Sequence, residues 1–175
     1  MAASYLLYLQ QKMWMILSML CIVCADLGQA AWNNSCPAAC TCVIRKYNYI
    51  SGMRRTVDCS GRKLRQFPDN VPSTVEVLLL HRNLLLSVHQ HLYRFSQLKV
   101  LDLSHNALQT LAFQPMFENL TALQHLNLQN NHIQTLYHDS FTELVELKTL
   151  LLANNSIKTI EGHAFGGLHS LTTLS

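Results

Sequence analysis

Between Leu98 and Ser170 the chain writes one phrase three times: LKVLDLSHNALQTLAFQPMFENLTA, LQHLNLQNNHIQTLYHDSFTELVE and LKTLLLANNSIKTIEGHAFGGLHS. A looser copy, VEVLLLHRNLLLSVHQHLYRFSQ, runs ahead of them from Val75, and a short one, LTTLS, ends the sequence. The copies start at Val75, Leu98, Leu123, Leu147 and Leu171, so the spacings are 23, 25, 24 and 24 residues. Apolar residues hold the same sites in each copy, in the pattern L-x-x-L-x-L-x-x-N-x-L. A unit this short cannot bury its own apolar side; it must stack on its neighbours and share one continuous core. Only 13% of the residues are charged, about half the usual ~25%, as such a core demands.

Leu101 and Leu103, Leu126 and Leu128, and Leu150 and Leu152 lie two apart, which puts each pair on the inner side of one short strand. Stacked in register, these strands make a parallel sheet, and the rest of each copy returns across the back. Phe117, Phe141 and Phe165, with Leu120, Leu144 and Leu168, supply bulk to that return. The first copy has Leu92 and Phe95 instead, and Pro115 with an extra residue predicts a locally different return in the second. Asn83, Asn106, Asn131 and Asn155 recur at the ninth site, where a buried amide can pair with the backbone of its own turn and its neighbour's. LTTLS stops midway through a copy, so the expectation is a truncated fifth repeat whose apolar edge self-associates.

Upstream, Lys12 precedes the apolar run Met13 to Ala25, which falls short of the ~20 residues that span a bilayer. Small residues Gly28 and Ala30 place cleavage after Ala30, so residues 1–30 read as a signal peptide. Cleavage after Ala25 and an uncleaved anchor are the alternatives. Cys21 and Cys24 would leave with it. Cys36, Cys40, Cys42 and Cys59 remain, an even cluster that indicates disulfides in a secreted chain. A Cys40–Cys42 bridge would close a strained loop, which leaves two pairings open. A zinc site is disfavoured, because no histidine falls within the cluster.

The segments CPAACTC, VDCSGRKL and FPDNVP are similar to the amino-terminal cap of extracellular leucine-rich repeat proteins, such as Slit proteins, Toll-like receptors, small leucine-rich proteoglycans and variable lymphocyte receptors. With the repeats, the resemblance covers Cys36 to the end of the chain. It implies the pairings Cys36–Cys42 and Cys40–Cys59. It also implies an α/β solenoid: a right-handed horseshoe with a parallel concave β-sheet, short irregular or helical convex returns and a disulfide-bonded cap. The organisation expected is a signal peptide at 1–30, the cap at 31–74, and four repeats plus a truncated fifth at 75–175. The chain departs from the family pattern between Cys42 and Cys59, where the insert VIRKYNYISGMRRTVD is long. It predicts a β-hairpin finger carrying Tyr47 and Tyr49 and turning at Ser51-Gly52. With Arg45, Lys46, Arg54 and Arg55 the finger is either a contact or a solvated hairpin that guards an edge.

No nucleophile elbow, metal-protease motif or phosphate-cradling glycine loop occurs, which argues against an enzyme and against a metal or other cofactor. His89, His91, His138, His163 and His169 are scattered over the returns. Residues 36–74 carry seven Lys/Arg and two Asp/Glu, whereas residues 75–175 carry five and seven. That imbalance comes without any nucleic-acid-binding module.

The residues between the core leucines face outward: Val77, Leu79, His81 and Arg82, then Val100, Asp102, Ser104 and His105, then His125 and Asn127. Neighbouring strands, ~4.8 Å apart, align them in columns, Val77-Val100-His125-Thr149 and Leu79-Asp102-Asn127-Leu151. Apolar residues exposed on such a face predict a site for a protein ligand. Arg82 and His105, with Arg62, Lys63 and Arg65, form a basic spot suited to a heparan sulfate-type glycan or an acidic partner. Sequons place N-glycans at Asn33, Asn119 and Asn154. The resemblance implies a secreted protein or a cell-surface ectodomain that binds an extracellular protein in signalling, adhesion or immune recognition. The alternative is a matrix component that binds fibrous proteins or sulfated glycans. No transmembrane segment is read within the chain.

Overall fold

The structure, a computed structural model, describes residue 32, residues 36–111 and residues 116–175. The chain forms two compact units, Met1–Asn34 and Ser35–Ser175. The signal-peptide reading and Asn33 fall in the first unit, outside the described residues, as does the Pro115 segment of the second.

Each repeat contributes one three-residue strand to a parallel sheet: β3 (Val77–Leu79), β4 (Val100–Asp102), β5 (His125–Asn127) and β7 (Thr149–Leu151), followed by β9 (Thr173–Leu174). The cap adds a hairpin, β1 (Thr41–Tyr47) and β2 (Ile50–Asp58), and the sheet order is β1-β2-β3-β4-β5-β7-β9. Only β1 and β2 run antiparallel; β2 docks parallel to β3, with Thr56, Val57 and Asp58 opposite Val77, Leu78 and Leu79. The cap thus ends in a strand that copies the repeat geometry and covers the first repeat's edge. On the back, a four-residue helix α1 (His89–Leu92), turns, and a two-stranded sheet of β6 (Thr135–Leu136) and β8 (Thr159–Ile160) make the returns.

The inner column Val57, Leu78, Leu101, Leu126 and Leu150 is fully buried. Behind it Phe117 stacks on Phe141 and Phe141 on Phe165, with centroids 5.8 and 6.0 Å apart. Leu92 and Phe95 are buried, and Phe95 stacks on the cap's Phe67.

The asparagines form a ladder. Asn106 accepts from the Leu85 amide at 3.0 Å and donates to the Leu80 and Leu103 carbonyls, both at 3.0 Å. Asn131 repeats this with Leu108, Leu103 and Leu128, and Asn155 with Ile133, Leu128 and Leu152. Asn83 ties the first repeat to the cap through the amides of Arg62 and Leu64 and the carbonyl of Cys59. Each side chain therefore joins two turns whose inward polar groups would otherwise lie unpaired.

Just before each ladder residue the chain enters the left-handed region, at Arg82, His105, Asn130 and Asn154 (φ 56, 53, 54 and 57) and at Gly61 (φ 65) in the cap. Asparagine suits that conformation; arginine and histidine hold it under strain from the surrounding turn.

The bridges are Cys36–Cys42 and Cys40–Cys59, the pairing the resemblance implies. The hairpin exists but turns elsewhere than at Ser51-Gly52. Tyr47 pairs with Ile50, so Asn48 and Tyr49 make the turn, and the ladder slips between Lys46 and Tyr47. Ser51 and Gly52 (φ 84) are the extra residues of a bulge opposite that slip. A glycine in the left-handed region serves a bulge as well as a turn, and here the bulge bends the tip away from the plane of the sheet.

Candidate functional site

The bent tip lies across the outward face of the repeats. Val77, Leu79 and Val100, expected to be an exposed apolar patch, are buried (0, 5 and 0% exposed), with Tyr47 and Ile50 packed on them. Tyr49 reaches as far as β5 and stacks flat on His125, with centroids 4.3 Å apart and planes within 7°. His125 is 8% exposed, while Tyr49 keeps 64% of its surface in solvent. The physical reason is mutual: Tyr47 and Ile50 of the hairpin tip and the three apolar residues of the sheet face remove each other from water.

Three of the finger's four basic residues, Arg45, Arg54 and Arg55, form ion pairs at its base. Glu76 receives Arg54 at 3.2 Å, Arg55 at 3.5 Å and Lys99 at 3.3 Å. Arg45 pairs with Asp58 at 3.3 Å, and Arg55 also reaches Gln97 at 2.8 Å. Burial resists ionisation of Glu76, but the Arg55 amide, Lys99 and Arg54 outweigh it and hold the carboxyl below its ordinary range. Asp58 is lowered likewise: burial opposes, and the Ser60 hydroxyl and amide prevail, with help from Arg45 and His81. Burial pushes His125 below its ordinary value against the pull of Asp102, which favours the neutral ring beneath Tyr49. Burial, then Asp102, pushes the Tyr47 phenol up to about 12.

All three lowered groups give stability the same sign. The folded state binds fewer protons than the unfolded chain, so stability rises with pH across each window. The His125 contribution is complete above its ordinary 6.5 and is lost as pH falls below that. The Glu76 and Asp58 contributions are complete above 4.5 and 3.8 and are lost further down, towards the lowered folded values. Urea midpoints measured from pH 8 to pH 3 are expected to fall in two stages. Glu76→Gln is expected to lower the plateau and shrink the more acidic stage alone.

Two of the expected ligand contacts also serve the backbone. Asp102 Oδ1 accepts from the Ser104 amide at 2.9 Å and hydroxyl at 2.7 Å, and Asn127 Oδ1 accepts from the Gln129 amide at 3.1 Å. Asp58 does the same for Ser60. Such local bonds fix the chain as it leaves each strand. His81 is half-buried, its Nδ1 3.7 Å from Asp102. Arg82 and His105 are exposed in the left-handed column, where Asn130 bridges His105 to Asn154. Beyond the tip, Asn127, Gln129, Thr149, Leu151 and Ala153 remain half-exposed on β5, β7 and the turns after them. Sequon residues Asn119 and Asn154 are both exposed.

The family described as Leucine rich repeat matches residues 73–133 and 121–175, and the one described as Leucine rich repeat N-terminal domain matches residues 35–72. The chain belongs to the leucine-rich repeat family. Among curated leucine-rich repeat relatives, it is 32% identical to Leucine-rich repeat-containing protein 3B of Danio rerio, over 63% of this chain and 42% of that one. It is 35% identical to Podocan-like protein 1 of Homo sapiens over 55% of this chain and 18% of that protein. It is 33% identical to Oligodendrocyte-myelin glycoprotein of Mus musculus over 58% of this chain and 20% of that protein. The match thus spans less than half the length of each relative. Among the described residues no helix is long and apolar enough to cross a membrane.

Proposed function

We propose that the chain is an extracellular binding module that takes a protein ligand on the part of its concave sheet beyond the hairpin tip. The observation that carries this is the half-exposed field Asn127, Gln129, Thr149 and Leu151, bounded on one side by the solvent-exposed flank of Tyr49. An aromatic wall beside a mixed amide and apolar floor has the composition of a protein-binding centre. The two bridges of the cap support an oxidising compartment. Asn119 and Asn154 are then acceptors for N-glycans, and one matched relative is by name a glycoprotein. A glycan on Asn154, at the end of the β7 turn, would confine the ligand to the strands before it.

The footprint differs from the one read in sequence: Val77, Leu79 and Val100 serve the hairpin, and the ligand meets Tyr49, Asn127 and Leu151. The test is capture from a displayed set of extracellular proteins, with affinity measured for each hit. Leu151→Arg and Thr149→Arg are each expected to weaken binding by at least about tenfold, with the thermal midpoint unchanged. Binding that persists through both substitutions would place the ligand elsewhere.

A further inference from the structure

We propose a second interaction surface, on the flank of the solenoid where the cap meets the first repeat, that takes an acidic protein segment carrying one aromatic or aliphatic side chain. Two exposed leucines point to it. Leu84 and Leu86 stand 46 and 62% exposed on either side of the buried Leu85. The register of the flank is set by amide bonds from Leu84 to Leu64, Ala107 to Leu85, His132 to Leu108 and Ser156 to Ile133. In that register the sites of Leu84 and Leu86 are held by Ala107 and Gln109, His132 and Gln134, and Ser156 and Lys158 in the later copies. The same column positions in the cap are Lys63 and Arg65, both exposed. One repeat alone therefore turns leucines outward, and it does so beside two cations.

The surface next to these leucines is recessed. Arg65, Phe67, Asp69, Leu86, Val88 and His91 help line an open cavity of about 350 Å³. Its floor is aromatic: Phe67 is buried and stacks on His91, with centroids 4.8 Å apart and planes within 8°. Asp69 is the one carboxylate among the described residues of the lining. Arg65 in the lining and Lys63 at the cap's equivalent of the Leu84 site are exposed and make no ion pair among the described residues. The same holds for Arg62 and Arg82, in contrast to Arg45, Arg54, Arg55 and Lys99. Cations around an apolar recess select an anionic ligand with an apolar anchor.

Between anionic ligands, the leucines decide. A sulfated glycan is met by the cations alone and draws nothing from two leucines left in water. A flat lipid surface does not enter a recess floored by Phe67 and His91. A peptide side chain does both: it fills the recess while flanking carboxylates meet Arg65 and Lys63.

The test uses the full chain, isotope-labelled for NMR, and a five-residue peptide with a central phenylalanine between two aspartates and two glutamates. Heparin oligosaccharide, phosphatidylserine vesicles and the same peptide with central glycine run in parallel. The phenylalanine peptide is expected to shift the Phe67, Leu86 and His91 resonances, and the glycine peptide to bind more weakly. A chain carrying Leu84→Gln with Leu86→Gln changes only two exposed side chains, and at the Leu86 site it puts the glutamine that later copies carry at Gln109 and Gln134, so its fold is retained. That chain should lose at least about tenfold in peptide affinity, whereas Leu151→Arg on the concave face should leave it intact. Heparin or vesicles shifting these resonances equally in the parent and the double-glutamine chain would overturn the proposal. So would a peptide that leaves them unmoved.

Discussion

Asn131→Ala is expected to destabilise the solenoid by about 3–5 kcal/mol, because three buried backbone groups lose their partner at ~1–3 kcal/mol each and water replaces part of the loss. The groups are the Leu108 amide and the Leu103 and Leu128 carbonyls. They belong to successive repeats, so the substitution also cuts the coupling between them. The urea transition should therefore broaden as well as move, a fall in m that a simple packing loss would not produce. Asn131→Asp separates the two causes: it keeps the volume but turns an acceptor towards two carbonyls, and it should cost at least as much. Asn155→Ala should cost about 1–2 kcal/mol, since its site is only half-buried and water can replace the lost bonds.

This ladder was legible in the sequence because it is periodic. A residue that recurs every 24 or so positions, beside leucines two apart, has one geometric meaning, and the strands around Leu78, Leu101, Leu126 and Leu150 follow from it. The roof over Val77 and Val100 was not legible, because it depends on where one hairpin bends. Ser51-Gly52 signals a turn and a bulge alike, and the choice between them decides whether Tyr47, Tyr49 and Ile50 point into solvent or across the sheet. A usable signal was present all the same. Three apolar residues at an expected loop tip, and three more on an expected open face, each lacked a partner, and each supplies the other's. The turn-holding roles of Asp102 and Asn127 were also in view, in the repeated spacing Asp58-Ser60, Asp102-Ser104 and Asn127-Gln129.

The second large effect is expected at the cap. Replacing Cys40 and Cys59 together by serine should destabilise the chain by about 3 kcal/mol, against about 2 kcal/mol for the Cys36 and Cys42 pair. The difference follows from the loops closed, with sequence separations of 19 and 6. Cys59 is fully buried where β2 leaves the sheet, and its amide donates to Leu79. The Cys40–Cys59 bridge thus ties the start of β1 to the strand that covers the first repeat. Its loss should loosen the hairpin before the repeats. Amide exchange should rise first in residues 41–58, and later across the sheet from β3 onwards. Loss of Cys36–Cys42 should leave that order unchanged.

The hairpin tip lying over the concave sheet closes the first strands and moves the proposed ligand site to β5 and β7. Nuclear Overhauser contacts in the folded chain report on this placement directly. Contacts are expected from the Tyr49 ring to the His125 ring, and from Tyr47 and Ile50 to the methyl groups of Val77, Leu79 and Val100. A tip showing none of these, with the Val77 and Val100 methyls open to a soluble relaxation agent, would contradict it.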